Sequence, residues 1–217
     1  MNDTVIGKQF DDLFWSRVRA ALMALRPARP NREPAYGKAA IARSIGMRPK
    51  LGPQVEDALR QGWDHAASRN VSLSLLVIEI DRASEYFAAY GKGATDECLY
   101  EVMRAVTNAL PREGDMCQRF GQSGFVVVLP DLPVLMARKT AEKLTNVVRK
   151  LGLAHRESHA GLVTVSTGLA VINPHGSYDR KFFEAGAAAV SKAQRKGLAR
   201  LEVVDLRPAQ ERRRQAA

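Results

Sequence analysis

Residues 112–130 read REGDMCQRFGQSGFVVVLP. Met116 to Phe120 and Phe125 to Leu129 are two runs of apolar and β-favouring residues, and Gly121-Gln122-Ser123-Gly124 lies between them. A short polar stretch with glycine at both ends favours a tight hairpin, because glycine takes positive φ without steric cost. Immediately upstream, Arg112-Glu113-Gly114-Asp115 reads as a second turn that carries a cation and an anion three residues apart.

Outward from this hairpin the chain alternates strand and helix. Leu73 to Ile80 is mostly apolar and reads as a central strand buried on both faces. A helix follows from Arg82 to about Tyr90, then Gly91-Lys92-Gly93 interrupts, and a longer helix runs from Thr95 to Leu110. Pro53 can start an earlier helix with Val55, Leu59 and Trp63 on one face. After the hairpin come a helix over 135–151 stopped by Gly152, a strand over 162–172, a helix over 179–196 and a last strand over 199–204.

The hairpin resembles the signature of the GGDEF domain, the catalytic module of bacterial diguanylate cyclases, which make cyclic di-GMP from GTP. The family pattern R-Y-G-G-D/E-E-F stands here as Arg119-Phe120-Gly121-Gln122-Ser123-Gly124-Phe125. Thr164-Val165-Ser166-Thr167-Gly168-Leu169-Ala170 resembles the family's fourth strand, and Ser44 to Lys50 occupies the place of its entry motif. The resemblance covers residues 38 to 205. It implies an α+β fold: a ferredoxin-like, nucleotidyl cyclase palm sheet with flanking helices. An N-terminal helical extension and Pro-rich linker (1–37) precede it, and a basic tail (206–217) follows.

The same resemblance implies a site without catalysis. Joining two GTP molecules needs hard cations held by carboxylates and donors around the phosphates. The family's metal-binding aspartate on the first strand is Glu79 here, and the signature acids are Ser123 and Gly124. Gln122 replaces the second signature glycine, Ser84 the phosphate-binding lysine and Phe87 the guanine-reading asparagine. The lysine and arginine of the last helix map onto Gln194 and Leu198, while Asp96 and Asp81 survive. The expectation is no enzyme, no metal and no cofactor.

What the resemblance leaves intact is the family's inhibitory R-x-x-D motif, as Arg112 and Asp115. A guanidinium can donate two parallel hydrogen bonds to guanine O6 and N7, and a carboxylate can accept from guanine N1–H and N2–H. Lys143 matches the family's additional arginine, keeping its charge without its planar fork, and Arg138 could substitute. The expected function is a non-catalytic receptor for cyclic di-GMP that signals through protein–protein contacts. The alternative is a ligand-independent scaffold with a vestigial motif.

Composition bounds the remaining choices. The 217 residues include 33 Lys and Arg against 23 Asp and Glu, a formal charge of +10. That excess favours anionic partners, and part of it is expected in a solvated tail with Arg207 and Arg212 to Arg214. No aromatic–basic RNA-reading pattern is evident, so nucleic acid is not the expected partner. Phe10, Phe14, Val18, Leu22 and Leu25 recur at helical spacing, and this amphipathic stripe needs a partner: the domain, its twin in a homodimer or another protein. No window is long and apolar enough to span a bilayer, Asp3, Asp11 and Asp12 do not suit a secretory signal, and the two cysteines read as buried free thiols. The expected compartment is cytoplasmic. His155 and His159 flank Glu157, but Gly152 and Gly161 bracket them in a loop with no third ligand. His65 and His175 stand isolated.

Overall fold

The structure, a computed structural model, describes residues 51–209. The N-terminal stripe, the linker, the Ser44–Lys50 motif and residues 210–217 lie outside the described residues. The element order is α1 (Pro53–Arg69), β1 (Leu73–Ile80), α2 (Ala83–Ala109), β2 (Met116–Phe120), β3 (Gly124–Pro130), α3 (Val134–Lys150), β4 (Val165–Ile172), α4 (Lys181–Lys196) and β5 (Leu201–Asp205).

The five strands form one sheet in the order β2-β3-β1-β4-β5. Only β4 and β5 pair in parallel, as expected from the helix that connects them. All eight residues of β1 are buried, because helices cover both faces of the sheet. Leu76, Ile78 and Ile80 point to one face with Leu99, Val102 and Val106 of α2 and Ala141, Leu144 and Val148 of α3. Leu73, Leu75 and Val77 point to the other face, with Leu59 and Trp63 of α1 and Phe182, Phe183 and Val190 of α4. Each fully buried side chain of this size contributes roughly 1.5–3 kcal/mol by leaving water. That places the main stabilisation in the two helix–sheet layers.

Four details refine the sequence reading. Gly121 has φ +60 and makes the turn, but Gly124 already belongs to β3. Its lack of a side chain serves a close approach: a Cβ there would lie 3.0 Å from the Ile78 carbonyl oxygen and 3.1 Å from that of Phe120. The fourth strand begins at Val165, not 162, because Leu162 is bridged to Ala154 in the preceding loop. Arg207 is not a solvated tail residue. It is 3% exposed, and its Nε and Nη2 donate to Asp205 at 2.9 and 2.8 Å. The break predicted at Gly91 is a kink inside α2, where φ is +77 and ψ is −179.

Candidate functional site

One end of the sheet gathers the exit of β1, the hairpin turn and the start of α2. Glu79 of β1 lies directly opposite Gly124 of β3 and Ser166 of β4. Its carboxylate is nearly buried and accepts from Gln194 Nε2 at 3.3 Å. Gln194 thus meets the strand carboxylate with a neutral amide. The hairpin tip is tied to β1 by the Ile80 amide, which donates to the Ser123 carbonyl at 3.0 Å.

Asp81 is 1% exposed and accepts from Thr164 Oγ1 at 2.7 Å, Ser166 Oγ at 2.6 Å and the Ala199 amide at 2.9 Å. It clamps β1 to β4 and to the α4–β5 turn. Among the described residues, no group of three His, Cys, Asp or Glu stands together as a metal site.

The remaining positions of this region also face their own chain. Ser84 Oγ donates to Glu85 Oε2 at 2.8 Å, and Lys92 Nζ donates to Asp96 Oδ2 at 2.5 Å. Phe87 is half-buried, while Gln122 of the turn is partly buried beside Ser123. The hollow between α2 and the hairpin tip, lined by Tyr86, Thr95, Cys98 and Ser123 among others, has about 10 Å³ of space. That is at the lower limit for a single water and far below a purine. Burial pushes the Tyr86 phenol above its ordinary pKa and the Cys98 thiol up to about 11, although the Tyr86–Cys98 hydrogen bond lowers the latter.

The loop after α3 closes over the start of α2. Arg82 Nη1 donates to the Glu157 carbonyl, His155 Nε2 donates to the Arg82 carbonyl at 3.2 Å and the Arg156 amide donates to Tyr90 Oη at 3.0 Å. His155 is fully buried edge-on to Tyr86, whereas His159 is exposed, so the two do not face one ligand.

The opposite end of the sheet carries the Arg112–Asp115 turn. The Asp115 carboxylate is fully buried. Its Oδ2 accepts from the Arg112 amide at 3.1 Å, and its Oδ1 from Arg112 Nη2 at 2.9 Å. Arg112 reaches further, to the Pro130 carbonyl from Nη2 at 2.5 Å and the Asp131 carbonyl from Nη1 at 3.0 Å. Lys143 Nζ donates to the Ala109 carbonyl at 2.8 Å and so caps the C-terminus of α2, just before the turn. Arg138 is exposed on α3.

The turn forms one wall of a cleft of about 280 Å³. The other wall is α1, through Gln61, His65 and Arg69. Gly62 brings α1 this close, since a Cβ there would lie 2.5 Å from Val128 Cγ1. Sequence reasoning left His65 isolated and passed over Gln61 and Arg69. Their i, i+4, i+8 spacing on one helical stripe was visible, but the surface it faces was not.

A sheet of this order, with helices on both faces and a hairpin whose tip meets the end of the central strand, defines the palm of the nucleotidyl cyclases. Residues 54–200 match the family described as diguanylate cyclase, GGDEF domain, and the chain belongs to that family. It is 29% identical over 139 residues to diguanylate cyclase DosC of Escherichia coli K12, covering 64% of this chain and 30% of that protein. It is 33% identical over 109 residues to diguanylate cyclase DgcM of the same strain, covering 50% and 25%. The matches therefore span less than a third of the length of these relatives.

Among solved structures, it resembles diguanylate cyclase SiaD in complex with its activator SiaC from Pseudomonas aeruginosa (TM-score 0.63, 22% identity, 91% of this chain and 70% of that one). It also resembles the GGDEF domain of DgcB from Caulobacter crescentus in complex with c-di-GMP (TM-score 0.61, 22% identity, 68% and 86%). Both likenesses establish the fold. Among the described residues, no helix is long and apolar enough to cross a membrane.

Proposed function

We propose that this GGDEF protein makes no cyclic di-GMP and instead binds it as a receptor, through Arg112 and Asp115, with Lys143 and Arg138 as flanking cations. The observation that carries the reading is the contrast between the two ends of the sheet. At one end, Glu79 stands opposite a glycine and bonds a neutral amide. At the other, an arginine and an aspartate line an open cleft with Arg69 and His65 on its far wall.

The ligand is one that offers guanine edges and phosphates together. The arginine fork suits guanine O6 and N7, and the cleft's cations suit phosphate. A family neighbour is described in complex with c-di-GMP and another with a protein activator. By analogy, the output here is contact with a protein partner or a second copy, for which the amphipathic stripe of residues 10–25 is the candidate surface. The scaffold reading is favoured by one observation: both Asp115 oxygens are already engaged inside the turn.

Calorimetric titration with cyclic di-GMP separates the two readings. The receptor reading expects micromolar or tighter binding, lost in Arg112→Ala and Asp115→Ala. Absence of binding by the wild type would leave the scaffold.

A further inference from the structure

Arg112 does more than line the cleft. It fixes the junction between β3 and α3. Its Nη2 and Nη1 bond the consecutive carbonyls of Pro130 and Asp131. Asp131 has φ +55, a left-handed conformation that a residue with a side chain holds only when its surroundings impose it. The next carbonyl, that of Leu132, is held from inside by the buried Ser74 hydroxyl at 2.7 Å. Two residues on, α3 begins, and its first turn carries Leu135 and Met136, which are 62% and 49% exposed.

A guanidinium has five N–H donors and two paired edges: the Nη1/Nη2 end and the Nε/Nη2 side. Each edge includes an Nη2 hydrogen. Both Nη2 hydrogens are engaged here, one by Asp115 and one by Pro130. No ligand can therefore be gripped by two parallel bonds until one of these partners is displaced. The Asp115 carboxylate is charged and its side chain fully buried, so it gains little water on release. The Pro130 and Asp131 carbonyls are neutral: exposed Asp131 can be rehydrated, and Pro130, although buried, would leave only an uncharged oxygen unpaired, a smaller loss than an unpaired buried carboxylate.

We infer that Arg112 is a latch on the β3–α3 junction, and that a guanine ligand bound by its fork opens the latch and loosens residues 131–136. This rests on the receptor reading and adds a consequence to it. Ligand binding then alters the first turn of α3, with its exposed apolar pair, instead of merely filling a cleft. Ser74 keeps the helix attached, so the change is local.

The test is amide hydrogen exchange on the full chain, with and without cyclic di-GMP at a concentration that calorimetry shows to be saturating. The expected result is a rise of about tenfold or more in exchange with ligand at Ala137 and Arg138, the first α3 amides whose acceptors lie inside the loosened segment; Ala137 donates to the Pro133 carbonyl at 2.9 Å. Ligand-free Arg112→Ala should show the same rise, and Arg112→Lys, which keeps the charge without the fork, a smaller one. Saturated binding with unchanged or slower exchange at these residues overturns the latch and leaves the receptor intact. An unchanged rate in both ligand-free variants overturns it as well. No calorimetric signal in the wild type removes the receptor reading, and the latch as a ligand response with it.

Discussion

Glu79 and Gly124 are direct cross-strand partners on β1 and β3, so a strand carboxylate faces a position with no side chain at all. The pairing also shows how tightly the hairpin has closed. A Cβ at 124 would sit 3.4 Å from Glu79 Cγ and 3.0 Å from the Ile78 carbonyl oxygen.

Reinstating the signature acids therefore should not reinstate chemistry. Ser123→Asp with Gly124→Glu puts two new acids beside Glu79, where like charges directly opposite destabilise a sheet by up to about 1 kcal/mol. The variant should melt below the wild type and form no cyclic dinucleotide from GTP with magnesium, since Ser84, Phe87 and Gln122 are unchanged. Product detected by chromatography would show that the residues at 84, 87 and 122 do not by themselves block the chemistry.

Gly168 lies where α4 crosses β4. An added Cβ would come within 2.3 Å of the Gly186 carbonyl oxygen and 2.4 Å of the Val190 nitrogen, both backbone atoms that cannot rotate away. Gly168→Ala should cost about 3 kcal/mol, the upper range for overpacking, and lower the melting temperature by roughly 6–12 °C. A melting curve superposing on the wild type would mean that α4 does not sit this close.

Asp81 should behave as a clamp. Asp81→Ala leaves the Thr164, Ser166 and Ala199 donors without their acceptor, a loss of about 3 kcal/mol or more. Asp81→Asn should be milder by at least about half, because its oxygen can keep two of the donors while a rotated hydroxyl accepts from the new amide. Urea titrations of the two variants compare these values, and equal losses would count against the hydrogen-bonding role.

The cysteines make stability fall in alkali. Burial pushes both the Cys98 and Cys117 thiols from 9.0 up to about 11. Above pH 9 the unfolded chain loses these protons first, so their contribution is complete below pH 9 and declines as pH rises towards 11. Cys98→Ala with Cys117→Ala should lose less stability than the wild type between pH 8 and pH 10.5 in chemical denaturation. Parallel pH profiles would show that the thiols do not contribute.

The apolar run Leu73–Ile80, the break at Gly91, the Met116–Leu129 hairpin and the stop at Gly152 were legible in the sequence. Each is set by a residue and its near neighbours: a period of side chains, a missing Cβ or a fixed φ. That Ser123 and Gly124 carry no carboxylate was legible too, because it is a property of the residues themselves. Tertiary structure alone decided what those residues meet. Gln194 reaches Glu79 from 115 positions away, Arg207 turns inward to Asp205, and the isolated His65 arrives opposite Arg112 because Gly62 lets α1 sink against β3. The sequence likewise offered Arg112 and Asp115 as open recognition groups, and the fold engages both. Contacts of this kind depend on which helix face lands on which strand, and that is fixed by the summed burial of two core layers, with no local pattern to announce it.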